Sequence, residues 1–154
     1  MITIDIAQQQ LYLDGAASLT LPISSALAGV SEQAGSGGTP SGLHLIRARF
    51  GDGLPPTAVF QGRRFTGDVY SAELAQQYPE RDWILGRILW LGGLEPGRNQ
   101  GGEVDTFRRF IYLHGTPDDQ PMGEPASHGC IRLRPSDMVR LFQSVHVGDR
   151  VLIT

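Results

Sequence analysis

Cys130 is the only cysteine among 154 residues, so the chain can form no internal disulfide and must hold its fold by burial and hydrogen bonding. A chain of this length can bury an ordinary core without such help, and no linker or internal repeat divides it, so one domain over residues 1–154 is expected. Neither sign of charge dominates. Thirteen Lys and Arg face sixteen Asp and Glu, for a net charge of −3, which gives no general attraction to nucleic acid or to an anionic membrane. Apolar runs are short as well: none approaches the ~20 residues of a spanning helix, and no lipidation motif opens the chain. Met1-Ile2-Thr3-Ile4-Asp5-Ile6 alternates like a strand, with neither the basic start nor the continuous apolar run of a signal peptide. If Met1 is the native start, a cytosolic location is expected, where a free thiol stays reduced, and a periplasmic one if an export signal has been removed.

Helical periodicity is also scarce. Ile2, Ile4 and Ile6, Leu11 and Leu13, and Leu19, Leu21 and Ile23 alternate with other residues around an Asp14-Gly15 turn. A loop rich in Gly, Ser, Thr and Pro over Ala34 to Gly42 precedes an expected strand from Leu43 to Phe50. Another strand is expected around Ala58 to Gln61, then a short helix near Ser71 to Tyr78 that Pro79 ends. Ile84 to Leu91 reads as strand or helix. Glu95 to Thr106 suits a loop, and Phe107 to Leu113 a strand that delivers His114 at its end. Ser136 is placed to cap a helix with Met138, Leu141, Phe142 and Val145 on one face, and Gly148 to stop it before a last strand. The fold class is mainly β, with one or two short helices.

The chemistry gathers around the lone cysteine. Ser127-His128-Gly129-Cys130-Ile131-Arg132 follows closely on His114-Gly115-Thr116. A thiol attacks carbonyls as thiolate and needs a base or a positive field, for which His114, His128, Arg132 and Arg134 are the local candidates. Gly129 suits a tight turn whose backbone N–H groups are free to hold an oxyanion. A buried, inert cysteine is the plainer reading of cysteine plus histidine alone. A zinc site from His114, His128 and Cys130 would want a fourth ligand that no paired cysteine or histidine supplies, so neither metal nor cofactor is expected. Trp83, Trp90, Phe110 and Tyr112 line a groove or fill core. Arg87, Arg98, Asn99, Arg108 and Arg109 bind an acidic peptide or are surface groups, and Asp118, Asp119 and Glu124 form a hydrophilic rim.

Ile111-Tyr112-Leu113-His114-Gly115-Thr116, the Pro/Gly-rich loop and Ser127-His128-Gly129-Cys130-Ile131-Arg132-Leu133 together resemble the signature of the YkuD-type L,D-transpeptidase family. The resemblance extends to Ile4–Gly15, to Thr39-Pro40-Ser41-Gly42 and to Val147–Ile153, nearly the whole chain. It implies the family's sandwich- or barrel-like β fold. It also implies that Cys130 is the nucleophile, His114 the general base and the Gly115 carbonyl the group that orients His114. His128 and Gly129 would shape the turn, with N–H groups around Gly129 and Cys130 holding the oxyanion. Arg132 stands where some members carry asparagine; substrate-carboxylate binding, loop anchoring and a solvated surface role are its three readings. With Tyr112, Ser127 and Thr116 it makes up the expected substrate-contacting set.

The substrate implied is a peptidoglycan stem peptide or muropeptide, cut between the L-centre of a meso-diamino acid and a terminal D-residue, and Cys130 should be open to carbapenem acylation. Water as acceptor gives an L,D-carboxypeptidase, expected for members without an export signal that trim recovered tetrapeptides. An amine acceptor gives 3-3 cross-links or D-amino acid exchange. A peptide-binding module without catalysis is the third reading.

Overall fold

The computed structural model describes all 154 residues. Ten strands form one sheet, with two α-helices, so the architecture is mainly β as the alternation requires. In chain order these are β1 (Ile2–Asp5), β2 (Gln10–Leu13), β3 (Leu19–Pro22), β4 (Gly42–Phe50), β5 (Ala58–Gln61), β6 (Arg64–Val69), α1 (Ala72–Gln77), β7 (Ile84–Gly93), β8 (Tyr112–Gly115), β9 (Ile131–Leu133), α2 (Pro135–Ser144) and β10 (Arg150–Ile153). The sheet runs β3-β2-β1-β10-β4-β7-β5-β6, and β8 pairs with both β7 and β9. Parallel pairing joins β1 to β10 and β8 to β9.

The main core lies where α2 packs on β7 and β8. Met138, Leu141 and Phe142 of α2 meet Leu89, Leu91, Leu113, Ile131 and Leu133, all essentially out of solvent. At ~1.5–3 kcal/mol for each large apolar side chain removed from water, this seam anchors β8 and β9. Since strand side chains alternate, burying Leu113, Ile131 and Leu133 on the α2 side turns Tyr112, His114 and Arg132 to the opposite face.

Several boundaries depart from the sequence expectation. Residues Ile84 to Leu91 are strand, the longest in the molecule, and not helix. Residues 107–110 are not strand but turn: the Asp105 carboxylate accepts from the Arg108 N–H, and Phe110 takes a φ of +57°, so pairing begins only at Tyr112. Ser136 does not cap α2. Arg134 occupies the cap position and Pro135, with φ already helical, begins the helix. Gly148 lies beyond the helix, which ends at Ser144, and makes a left-handed turn before β10. The unanticipated β6 is an exposed strand with polar residues and Gly67, lacking the apolar alternation that would have marked it. Helix α1 is as expected, with the Ser71 hydroxyl accepting from the Leu74 N–H.

Candidate active site

Cys130 immediately precedes β9, level with Tyr112 on the neighbouring strand. The Tyr112 N–H donates to Cys130 Sγ at 3.3 Å, and the thiol in turn lies 3.3 Å from the Phe110 carbonyl oxygen as its donor. Burial pushes this thiol up to about 11, and the Asp82 carboxylate pushes the same way; the Tyr112 N–H, Arg132 and Arg109 oppose them. The resting group is therefore a neutral thiol.

His114, at the middle of β8 and only 2% exposed, hydrogen-bonds through Nδ1 to the Gly115 carbonyl at 2.7 Å. A carbonyl only accepts, so Nδ1 carries the proton and Nε2 keeps the basic lone pair of the neutral ring. Burial holds this imidazole below its ordinary value, against the Gly115 carbonyl and Asp82, which raise it. Gly115 is required by space: a Cβ there would collide with the Leu85 carbonyl oxygen across the β7–β8 pairing. The two groups rest as thiol and neutral imidazole, so a thiolate forms only when a base takes the Cys130 proton.

The turn carrying the cysteine is braced from three directions. Ser127 Oγ donates to the Cys130 carbonyl and accepts from the Gly129 N–H at 3.2 Å. Thr39 Oγ1 accepts from the Ala26 N–H at 3.0 Å and donates to the Gly129 carbonyl at 2.9 Å. Backbone pairing of Ser24 with Arg132 and of Ser25 with Ser127 closes the third side. Gly129 has φ +137°, where a side chain would be strained. Two expectations change here. The Gly129 N–H is spent on Ser127, which leaves the Cys130 N–H as a backbone donor without a hydrogen-bond partner. Ser127 is only 2% exposed, and its hydroxyl is engaged by the Cys130 carbonyl and the Gly129 N–H, so it braces the turn.

The other expected groups sort themselves by burial. Arg132 is 5% exposed, its guanidinium donating to Asp82 Oδ1 at 2.8 Å and to the Ala126 carbonyl at 3.3 Å, so it anchors a loop and is no solvated charge. His128 is exposed and its Nδ1 lies 3.1 Å from Asp82 Oδ2. Tyr112 is buried, with Arg63 donating to its hydroxyl, and serves the site through its backbone N–H. Thr116 lines a polar cavity of about 240 Å³ together with Arg81, Asp82, Gln120, His128 and Arg132. Trp83 is core against Tyr70, and Trp90 stacks on Phe107. Arg87 and Asn99 are buried and Arg109 is half-buried, and all three hold backbone carbonyls: Arg109 grips Ser31 and Gly38 and so pins the Gly-rich loop. Asp118 and Asp119 line a separate cavity of about 430 Å³ with Tyr70 and Leu85. Asp82, unnoticed in the sequence because no motif surrounds it, joins the site only through the fold.

The model of the L,D-transpeptidase catalytic domain family YkuD matches residues 1–153. The chain belongs to the YkuD family. YqjB of Bacillus subtilis (strain 168), which carries an L,D-transpeptidase name, is 46% identical over 49 residues, 32% of this chain and 28% of that protein. The YkuD fold is seen again in solved structures. An L,D-transpeptidase from Mycobacterium smegmatis superposes with a TM-score of 0.58 at 20% identity, covering 99% of this chain and 57% of the other. The L,D-transpeptidase LdtMt1 in complex with imipenem gives 0.56 at 20% identity, over 99% and 57%. The chain thus spans little more than half the length of these structural relatives.

Proposed function

We propose that this YkuD domain is a cysteine-dependent L,D-carboxypeptidase that removes the terminal D-alanine from diaminopimelate-containing tetrapeptides. The observation that carries the reading is the joint placement of a basic His114 Nε2 and the Cys130 thiol on one face of the β8–β9 pair, with the Cys130 N–H unspent. His114 takes the thiol proton, and Sγ attacks the carbonyl carbon between the L-centre and D-alanine. The Tyr112 N–H steadies the sulfur charge and the Cys130 N–H the oxyanion. The imidazolium returns its proton to the leaving amine, D-alanine departs, and a thioester remains. Water then attacks, with His114 taking its proton, and the tripeptide leaves as a carboxylate.

Water is the acceptor in this reading, in keeping with a cytosolic enzyme that trims single peptides. Attack by an amine is the second reading, since L,D-transpeptidases share the catalytic domain. A cytosolic setting, with muropeptides recovered from the wall as substrate, completes the proposal, and cell fractionation tests it. The acceptor is tested by partition: with tetrapeptide plus rising D-amino acid or second stem peptide, tripeptide should stay the main product. Exchange products or dimers exceeding tripeptide at millimolar acceptor would reassign the enzyme as a transpeptidase.

A further inference from the structure

Asp82 lies outside every motif, in the segment leading into β7, yet its carboxylate meets both side chains that flank the cysteine. Oδ1 accepts from Arg132, two residues after Cys130, and Oδ2 faces His128, two residues before it. We propose that Asp82 is a positioning residue for Cys130, clamping Arg132 and His128 to one carboxylate so that the turn between them cannot open without breaking one of these contacts. The proposal rests on Cys130 being the reactive thiol, and not on which acceptor resolves the thioester.

The geometry makes the clamp unsymmetrical. Arg132 is buried, its Nε has no partner, and Asp82 is its only anionic contact. A guanidinium in that setting depends on the carboxylate, because an uncompensated buried charge is costly. His128 is largely exposed and adds the second arm from the rim of the polar cavity. Burial pushes the Asp82 carboxyl up, but the His128 hydrogen bond and the Arg132 charge outweigh it and keep the group ionised. Its charge is therefore present at neutral pH. At the thiol, Asp82 favours the protonated form, whereas Arg132 and Arg109 favour the thiolate; the Tyr112 hydroxyl, held by Arg63, and His114 are the other titratable groups facing this centre. Asp82 thus places Arg132 near the sulfur and at the same time offsets its charge there.

Alkylation by iodoacetamide reads this without any peptide substrate, since Cys130 is the only thiol. At pH 8, below the thiol's midpoint, the rate follows the thiolate fraction. Arg132→Met is expected to react several-fold more slowly than wild type. Asp82→Asn, which no longer holds Arg132 beside the sulfur, is expected to react within about twofold of the rate of the double variant with Arg132→Met. Asp82→Glu, which keeps the charge, is expected to keep the wild-type rate and to recover the peptide turnover that Asp82→Asn loses. A folded Asp82→Asn reacting about fivefold or more faster than the double variant overturns the proposal, because Arg132 then stays in place without the carboxylate, and unchanged turnover in Asp82→Asn overturns it equally. If Asp82→Asn does not fold, Asp82→Ser takes its place in the same comparison. Absence of alkylation in every form contradicts the reactive thiol itself, and the proposal with it.

Discussion

Thr39→Val removes one oxygen from the fold and should be felt at the cysteine. Thr39 is fully buried, and its hydroxyl connects the Ala26 N–H to the Gly129 carbonyl. Valine nearly matches the volume but leaves the Ala26 N–H without an acceptor and takes a donor from the Gly129 carbonyl. Each stranded buried group costs ~1–3 kcal/mol, so the pair should cost about 2–6 kcal/mol. In a chain of this size that lowers the melting temperature by roughly 4–24 °C. Thr39→Ser keeps both bonds and loses one methyl, worth about 1 kcal/mol. Thermal unfolding followed by circular dichroism compares the two, and tetrapeptide turnover reports on the Gly129-Cys130 turn. A valine variant melting within about 2 °C of the serine variant, with equal turnover, would refute the view that this hydroxyl braces the turn.

Gly115→Ala should force β7 and β8 apart where its Cβ meets the Leu85 carbonyl, and should displace the carbonyl that aims His114. Turnover is expected to fall about 100-fold with little change in KM, and steady-state kinetics on the tetrapeptide would check it. Acid should weaken the fold through His44, fully buried between the Gly42 carbonyl and Thr106, whose imidazole burial pushes down from 6.5 to about 4. The unfolded chain binds a proton in that window that the folded chain refuses. This contribution to stability is complete above pH 6.5, is lost as pH falls toward 4, and amounts to about 3 kcal/mol. Urea unfolding at pH 7 and pH 4.5 measures it, and equal stability at the two values would remove His44 as the cause.

The cysteine turn and its histidine were legible through the resemblance of Ile111–Thr116 and Ser127–Leu133 to the YkuD signature, since cysteine plus histidine alone left an inert thiol as the plainer reading. The glycine before Cys130 was legible by itself, because a residue that accepts a positive φ is needed there. The flanking strands announce themselves through period-two burial at Ile2, Ile4, Leu11 and Leu13. The expected strand at 107–113 failed because a single side-chain acceptor, Asp105, captured the backbone locally and outcompeted strand pairing. β6 was hidden by its exposure, which removes apolar periodicity. Asp82, Thr39 and Arg109 were illegible as site residues for a different reason. Each acts across 46 to 90 positions of sequence, on His128, Gly129 and the Ser31–Gly38 segment, through contacts that exist only once the sheet has formed. Arg132 shows the same limit: its residue type allowed three roles, and only its burial beside Asp82 selected anchoring.

The most direct test of Cys130 as a nucleophile served by His114 is intact-protein mass spectrometry after exposure to a carbapenem. Wild type should gain the mass of one carbapenem, mapped to Cys130 by peptide digestion; His114→Gln should gain it at least tenfold more slowly, and Cys130→Ala not at all. No adduct on the folded wild-type chain, or an equal adduct on folded Cys130→Ala, would contradict the account.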